Sequence, residues 1–147
     1  MLKKVPLGRT GLEVSRLGLG ANRLLDPSEA DWVATVNAAL DRGVNFMDSA
    51  AIYGDGRSES FFGAVLGKRR REVVLATKCG IYRSAEGKVV MDGRPASIKR
   101  ECDESLARLK TDVIDLYYLH QVPKDVPLED TIGTMADLVA AGIRRPR

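Results

Sequence analysis

The sequence predicts an α/β fold, because short apolar runs alternate with amphipathic helical patterns along its 147 residues. The apolar runs have the length and composition of buried strands, and they lie at 15–20, 44–48, 73–78 and 113–120. A helical pattern follows each of them, so the chain contains four strand–helix units. This order is typical of parallel strands that are joined by right-handed crossover connections.

The N-terminal segment lies outside this alternation. Residues 3–15, KKVPLGRTGLEVS, contain a polar turn with glycine at 8–11, and they predict a small β-hairpin. The hairpin would precede the first βα unit and cover the bottom of the sheet that follows.

The first helix has clear signals at both ends. Asp26 as N-cap, Pro27 as the first helical residue and Glu29 as the acid of a capping box predict where the helix starts. Gly43 predicts where it stops.

Apolar residues at helical spacing predict which face each helix buries. The predicted buried faces are Trp32, Val33, Val36 and Leu40 in the first helix; Phe61, Phe62 and Val65 in a second that starts at Ser58; Ile98, Cys102, Leu106 and Leu109 in a third at about 95–109; and Ile132, Met135, Leu138 and Val139 in a fourth at about 128–141.

Composition disfavours several classes of protein. With 44% hydrophobic residues and a net charge of +3, residues 1–147 are expected to fold as a single domain. No apolar segment has the length of a membrane span or the form of a signal peptide, so we expect a cytoplasmic protein without a membrane partner. The basic runs at 68–71 and 144–147 lack interleaved aromatic residues, so no nucleic-acid partner is expected. Cys79 and Cys102 form no CxxC motif, so we expect free thiols and no metal site.

Polar residues close three of the predicted strands. Asp48 ends the second apolar run, Tyr53 follows five residues later, Lys78 ends the third run and His120 ends the fourth. Parallel strands lie ~4.8 Å apart and end at one face of a sheet, so these groups can converge. The pattern favours part of a (β/α)8 barrel over an open doubly wound sheet. Taken singly, each residue also has a structural explanation, such as a turn, a solvated charge, a loop anchor or a structural histidine.

Together these groups suit the reduction of a carbonyl. A tyrosine hydroxyl loses its proton only near pH 10 in water, unless a nearby ammonium such as that of Lys78 stabilises the phenolate. Asp48 would hold Lys78 charged and in place, and His120 would orient the carbonyl toward Tyr53. Since no side chain supplies a hydride, a nicotinamide cofactor would be required.

The residues just described occur in stretches that resemble the N-terminal half of the aldo-keto reductase superfamily over residues 7–143. These stretches are LGRTGLEVSRLGLG, LDRGVNFMDSAAIYGDGRSESFFGAVL, REVVLATKCG and SLARLKTDVIDLYYLHQV. The resemblance implies a (β/α)8 barrel that reduces small aldehydes or ketones with NADPH.

The resemblance also implies roles for individual residues. Tyr53 would be the general acid, Lys78 would stabilise its phenolate, Asp48 would pair with Lys78, and His120 would orient the carbonyl. The cofactor contacts implied are Gly20, Ala21, Asn22 and Asp48. Two positions depart from the family pattern without removing a catalytic group: Ser49, where threonine is frequent, and Ala51, where a polar residue is frequent. LGLG at 17–20 alone is a weak signal for a phosphate-binding loop.

After Gly142 the resemblance stops. The family continues with a fifth strand, whereas here Ile143 is followed by RRPR, in which Pro146 cannot take part in a strand ladder. We therefore expect a truncated half-barrel with about four of the eight βα units, and weak or absent turnover, since the C-terminal half carries much of the cofactor site.

A half-barrel would leave strand edges and inward apolar side chains uncovered. The inward side chains are predicted to be Phe46, Leu75, Ile114 and Leu116. Such surfaces promote association, so we expect an oligomer or a second chain over the open edges. The alternative to an enzyme is a non-catalytic truncated product or interaction module that associates through these edges.

Overall fold

A computed structural model gives the architecture of residues 2–23, 28–124 and 126–142. It begins with the predicted hairpin, in which β1 (Lys4–Pro6) pairs with β2 (Glu13–Ser15) in antiparallel fashion. The hairpin prediction is therefore confirmed. The expectations for Pro27 as a helical residue and for the tail at 143–147 concern positions outside the described residues.

A four-stranded parallel sheet forms the centre of the fold. Its strands are β3 (Leu19–Gly20), β4 (Phe46–Asp48), β5 (Val74–Cys79) and, after a further hairpin, β8 (Leu116–Leu119). They lie in the order β3-β4-β5-β8, so each strand of a βα unit is next to the strand of the preceding unit. Gly20 is opposite Asp48, Asp48 is opposite Ala76, and Lys78 is opposite Tyr118. The predicted parallel βα order is confirmed.

A second small hairpin lies between β5 and the third helix. It consists of β6 (Ile81–Arg83) and β7 (Val89–Met91), which are antiparallel. These two strands were not predicted, because half-exposed strands of three residues are too short to show a periodic pattern in the sequence.

Within the described ranges, four α-helices cover the sheet. They are α1 (Glu29–Asp41), α2 (Arg57–Leu66), α3 (Pro95–Leu109) and α4 (Leu128–Ala140). The N-cap of α1 is Ser28, whose Oγ accepts a hydrogen bond from the Asp31 amide. The prediction of Asp26 as N-cap is therefore wrong. Within the described residues the longest helix has 15 residues, and none is long and apolar enough to cross a bilayer.

The core lies between the sheet and the first three helices. It includes Val36 and Leu40 from α1, Phe62 from α2, and Met47 and Leu75 from the strands. Both cysteines are free, as expected, and both are buried. The prediction of an uncovered Leu75 and Ile114 is wrong, since they are 0% and 2% exposed and belong to this core.

The predicted face of α4 is partly wrong. Ile132 and Val139 are 49% and 53% exposed, whereas Thr131 and Thr134 are buried. The Thr131 hydroxyl donates to the Gly93 carbonyl at 2.7 Å. The face that α4 buries therefore includes a small polar side chain, which the spacing of apolar residues does not predict.

A buried ion pair fastens the N-terminal end of the sheet. A 3₁₀-helix (Gly67–Glu72) follows α2, and Arg70 from it donates to Asp115 Oδ2 and to the Val113 carbonyl, both at 2.7 Å. The same carboxylate oxygen accepts the Leu75 amide at 2.9 Å. The pair thus joins the start of β5 to the residues that lead into β8.

Candidate active site

Asp48 and Lys78 meet at the C-terminal ends of neighbouring strands. Asp48 is opposite Ala76, and Lys78 lies two residues beyond Ala76, so strand alternation puts both side chains on one face. The Lys78 ammonium donates to Asp48 Oδ1 at 2.6 Å and to the Ser49 carbonyl at 2.7 Å. The Lys78 side chain is only 15% exposed, which strengthens its attraction to the carboxylate.

Tyr53 joins this pair from the turn after β4. Its hydroxyl lies 3.5 Å from Lys78 Nζ, and Nζ lies 4.9 Å from the centre of its ring. The ammonium has three donors and no acceptor, so Tyr53 accepts and its own hydroxyl proton points elsewhere. The turn that leads to Tyr53 is closed by a hydrogen bond from the Tyr53 amide to the Ala50 carbonyl at 3.0 Å. The sequence separation of five residues therefore brings Tyr53 back over the strand end.

His120 completes the group from the end of β8. Its backbone amide donates to the Cys79 carbonyl, and its ring meets the Tyr53 ring edge to face at 5.8 Å between centroids. Burial lowers the pKa of His120, and the positive charge of Lys78 lowers it further. The negative charge of Asp48 raises this pKa, but by less. The imidazole is therefore neutral at physiological pH. The structure thus brings all four predicted residues together.

Comparisons with known proteins identify the family to which the chain belongs. The sequence profile described as the aldo/keto reductase family matches residues 16–145. The chain belongs to the aldo/keto reductase family. Members of this family act with a nicotinamide cofactor on small carbonyl compounds.

Individual relatives are longer than this chain. "Probable aldo-keto reductase 1" of Glycine max is 36% identical over an alignment of 147 positions, which covers 96% of this chain and 42% of the relative. An aldo-keto reductase from Bacillus halodurans in its holo form superposes with a TM-score of 0.91 at 38% identity, over 99% of this chain and 49% of the other. A glycerol dehydrogenase from Gluconobacter oxydans superposes with a TM-score of 0.85 at 31% identity. The superposition covers 97% of this chain and 46% of the other. The chain therefore spans about half the length of these relatives and contains four βα units of the (β/α)8 barrel.

The segment after β3 borders this group of four residues, called here the tetrad. Gly20 and Asn22 are exposed, and a Cβ on Gly20 would meet nothing within 4 Å. Ala21 is 1% exposed, and its amide donates to the Asp48 carbonyl at 2.9 Å. An open surface without a side chain at Gly20, next to the Lys78 and Asp48 pair, suits the close approach of a flat ring such as nicotinamide. The residues present fit such a cofactor.

Sequence reasoning missed one residue on the tetrad face. Tyr118 is opposite Lys78 and is 38% exposed. Burial raises its pKa, with a further contribution from the charge of Asp48 that Lys78 opposes. Its position two residues before His120 puts both side chains on one strand face, so alternation along β8 was the signal that could have identified it.

A buried acid lies behind the same strand ends. Glu101 from α3 is 1% exposed, and its Oε2 accepts the Gly80 amide at 3.0 Å, two residues after Lys78. Burial raises the pKa of Glu101 to about 7. The described residues form no group of three or more His, Cys, Asp or Glu side chains able to hold a metal ion.

Proposed function

We propose that this chain carries the catalytic face of an NADPH-dependent oxidoreductase that reduces aldehyde or ketone carbonyls. The observation that carries the proposal is the Lys78 ammonium, which contacts Asp48 and the Ser49 carbonyl and reaches the Tyr53 hydroxyl at 3.5 Å. An ammonium fixed in this way is what a tyrosine needs to act as a proton donor at neutral pH.

Each residue then has a definite role. A bound nicotinamide cofactor would supply the hydride to the carbonyl carbon. Tyr53 donates its proton to the carbonyl oxygen, and Lys78 stabilises the phenolate that remains. Asp48 balances the charge of Lys78 and holds it in place. The neutral His120 donates a hydrogen bond to the carbonyl oxygen and so directs it toward Tyr53.

The proposed cofactor contacts are Gly20, Ala21, Asn22 and Asp48. Support comes from the open surface at Gly20 and from the hydrogen bond between the Ala21 amide and the Asp48 carbonyl, which ties the segment to the tetrad. When NADPH is titrated into the chain, cofactor fluorescence should report saturable binding with a dissociation constant between about 1 μM and 1 mM. Absence of saturation at millimolar NADPH would overturn the cofactor site.

The role of Tyr53 can be tested with a matched pair of variants. Tyr53→Phe should lower carbonyl reduction by about 100-fold or more, because it removes the proton donor. Tyr82→Phe makes the same change in a ring that lies beside Arg100, at 5.1 Å from its guanidinium, and should leave turnover unchanged. A sensitive assay of alcohol product over long incubations is required, since the chain spans about half the length of its relatives. Equal rates for Tyr53→Phe and the parent chain would refute the assignment.

Association is a second part of the proposal. The outer strands β3 and β8 have no further strand beside them within the described residues. An apolar cavity of about 170 Å³ opens between β8 and α4, with Leu116, Met135 and Leu138 in its wall. We propose that a second copy or another chain covers these edges. We also propose that residues 1–147 act as a single domain, because their described elements share one core.

The oligomeric state tests this part. Size-exclusion chromatography with light scattering at tens of micromolar should give a mass above that of one 16.0 kDa chain. A well-folded monomer would refute the association. Association without NADPH binding would favour the alternative, a non-catalytic interaction module.

A further inference from the structure

Two buried serines connect the tetrad to the segment after β3. Ser49, directly after β4, and Ser58, in the first turn of α2, are 0% and 3% exposed. Their hydroxyl oxygens lie 2.7 Å apart, and the Ser58 hydroxyl donates to the Ala21 carbonyl at 3.1 Å. The residues are separated by up to 37 positions in the sequence, so only the fold brings them together.

The direction of these hydrogen bonds follows from the chemistry of a hydroxyl. Each serine has one proton to donate. Ser58 uses its proton on the Ala21 carbonyl, which has none to give, so the proton between the two serines comes from Ser49. The chain of donation therefore runs from Ser49 through Ser58 to Ala21.

The contact fixes one peptide plane. In a trans peptide the carbonyl of Ala21 and the amide of Asn22 point in opposite directions. Because the Ala21 carbonyl points into the protein at Ser58, the amide of the exposed Asn22 points away from α2. No hydrogen bond within residues 2–23, 28–124 and 126–142 uses that amide, so it remains available to a bound group.

Ser49 also contacts the tetrad directly. Its carbonyl accepts the Lys78 ammonium at 2.7 Å, while its hydroxyl starts the contact to Ser58. One residue thus sets the position of Lys78 on one side and of the Ala21–Asn22 peptide on the other.

We infer that Ser49 and Ser58 are positioning residues that hold the Ala21–Asn22 peptide in register with Lys78, so that a nicotinamide bound there meets Tyr53 correctly. This inference rests on the proposed cofactor contacts at Gly20, Ala21 and Asn22. The serines touch neither the substrate nor the reacting atoms, and they act through the peptide that they orient.

The test compares hydroxyl deletions at matched positions. Ser58→Ala should raise the dissociation constant for NADPH about 3- to 10-fold, the range of one lost hydrogen bond. It should also speed hydrogen exchange of the Ala21 amide, because a loosened Ala21 carbonyl weakens the neighbouring bond from that amide to the Asp48 carbonyl. Ser60→Ala is the control, because the exposed Ser60 on the same helix bonds only to the Gly56 carbonyl. It should leave both quantities unchanged.

Two further variants address the first step of the contact. Ser49→Ala removes that step but leaves Ser58 bonded to Ala21, so it should give a smaller effect. Ser49→Thr retains the hydroxyl and should behave as the parent chain. If Ser58→Ala destabilises the whole fold, Ser49→Ala still provides the comparison.

The outcomes separate this inference from the proposed function. A general loss of stability would speed exchange of the core amide of Leu75 as much as that of Ala21, whereas a positioning role speeds Ala21 selectively. Equal Ala21 exchange in Ser58→Ala, Ser49→Ala and Ser60→Ala would overturn the inference. Failure of the parent chain to bind NADPH would overturn the cofactor site, and Ala21 exchange would still decide whether the serines fix the peptide.

Discussion

Glu101→Gln should remove a large pH dependence from the stability of this chain. Glu101 is 1% exposed, its Oε2 accepts the Gly80 amide, and its Oε1 has no partner among the residues that the structure describes. Burial raises its pKa from 4.5 to about 7; the Gly80 hydrogen bond and the charge of Arg100 oppose this rise, while Asp92 and Glu104 add to it. The folded chain therefore prefers the protonated acid.

The sign and size of the effect follow from linkage. A group whose pKa is raised by folding stabilises the folded state fully below its unfolded pKa and loses this contribution as the pH rises through the folded pKa. A rise from 4.5 to about 7 corresponds to about 3 kcal/mol, of which about 2.5 kcal/mol is lost between pH 5 and pH 8. Gln keeps an oxygen for the Gly80 amide but has no proton to lose.

Urea unfolding at several pH values measures this contribution. The difference in unfolding free energy between the parent chain and Glu101→Gln should fall by about 2.5 kcal/mol from pH 5 to pH 8, since other titrating groups cancel in the comparison. Glu129→Gln, at an exposed position in the first turn of α4, should give a curve parallel to that of the parent chain. A Glu101→Gln curve that is also parallel would refute the reasoning.

Two further predictions concern packing, and urea unfolding checks both. Gly63→Ala should destabilise by about 1–3 kcal/mol, because its Cβ would lie 2.4 Å from the Arg108 carbonyl oxygen, whereas Gly133→Ala, with nothing within 4 Å, should stabilise by about 0.5–1 kcal/mol. A stabilising Gly63→Ala would contradict the close approach of α2 and α3. Phe62→Ala should cost about 3–5 kcal/mol, since Phe62 is 0% exposed, and Val33→Ala, at 37% exposure, much less. Similar losses for the two variants would show that the core is placed incorrectly.

Local signals in the sequence predicted most of the elements. The range 95–109 agrees with α3 at both ends, because Pro95 starts a helix at its first position and the apolar stripe from Ile98 to Leu109 has helical spacing. Strand ends were predicted well where a polar residue follows a buried run, as at Asp48 and Lys78. The convergence of the tetrad residues needed only the rule that parallel strands end at one face.

Other features depend on contacts between distant segments. The choice between Asp26 and Ser28 as N-cap of α1 could not be made locally, since both are good capping residues. The buried face of α4 is set by the close approach of Thr131 to Gly93, which apolar spacing does not record. Two side-chain contacts were also not predictable, namely Ser49 with Ser58 and Arg70 with Asp115. No local sequence pattern indicates which partner these polar side chains have.

The ion pair between Arg70 and Asp115 stabilises one register of β8 along β5. A slip of β8 by one residue along β5 would put Ile114 or Leu116 where the Asp115 carboxylate now receives the Leu75 amide, and would leave the Arg70 guanidinium without its counter-charge. The same slip would turn every side chain of β8 to the opposite face, which would remove Tyr118 from Lys78. An ion pair at the start of two strands thereby disfavours misaligned pairings and favours the alignment in which the Lys78 and Tyr118 side chains meet near the other end.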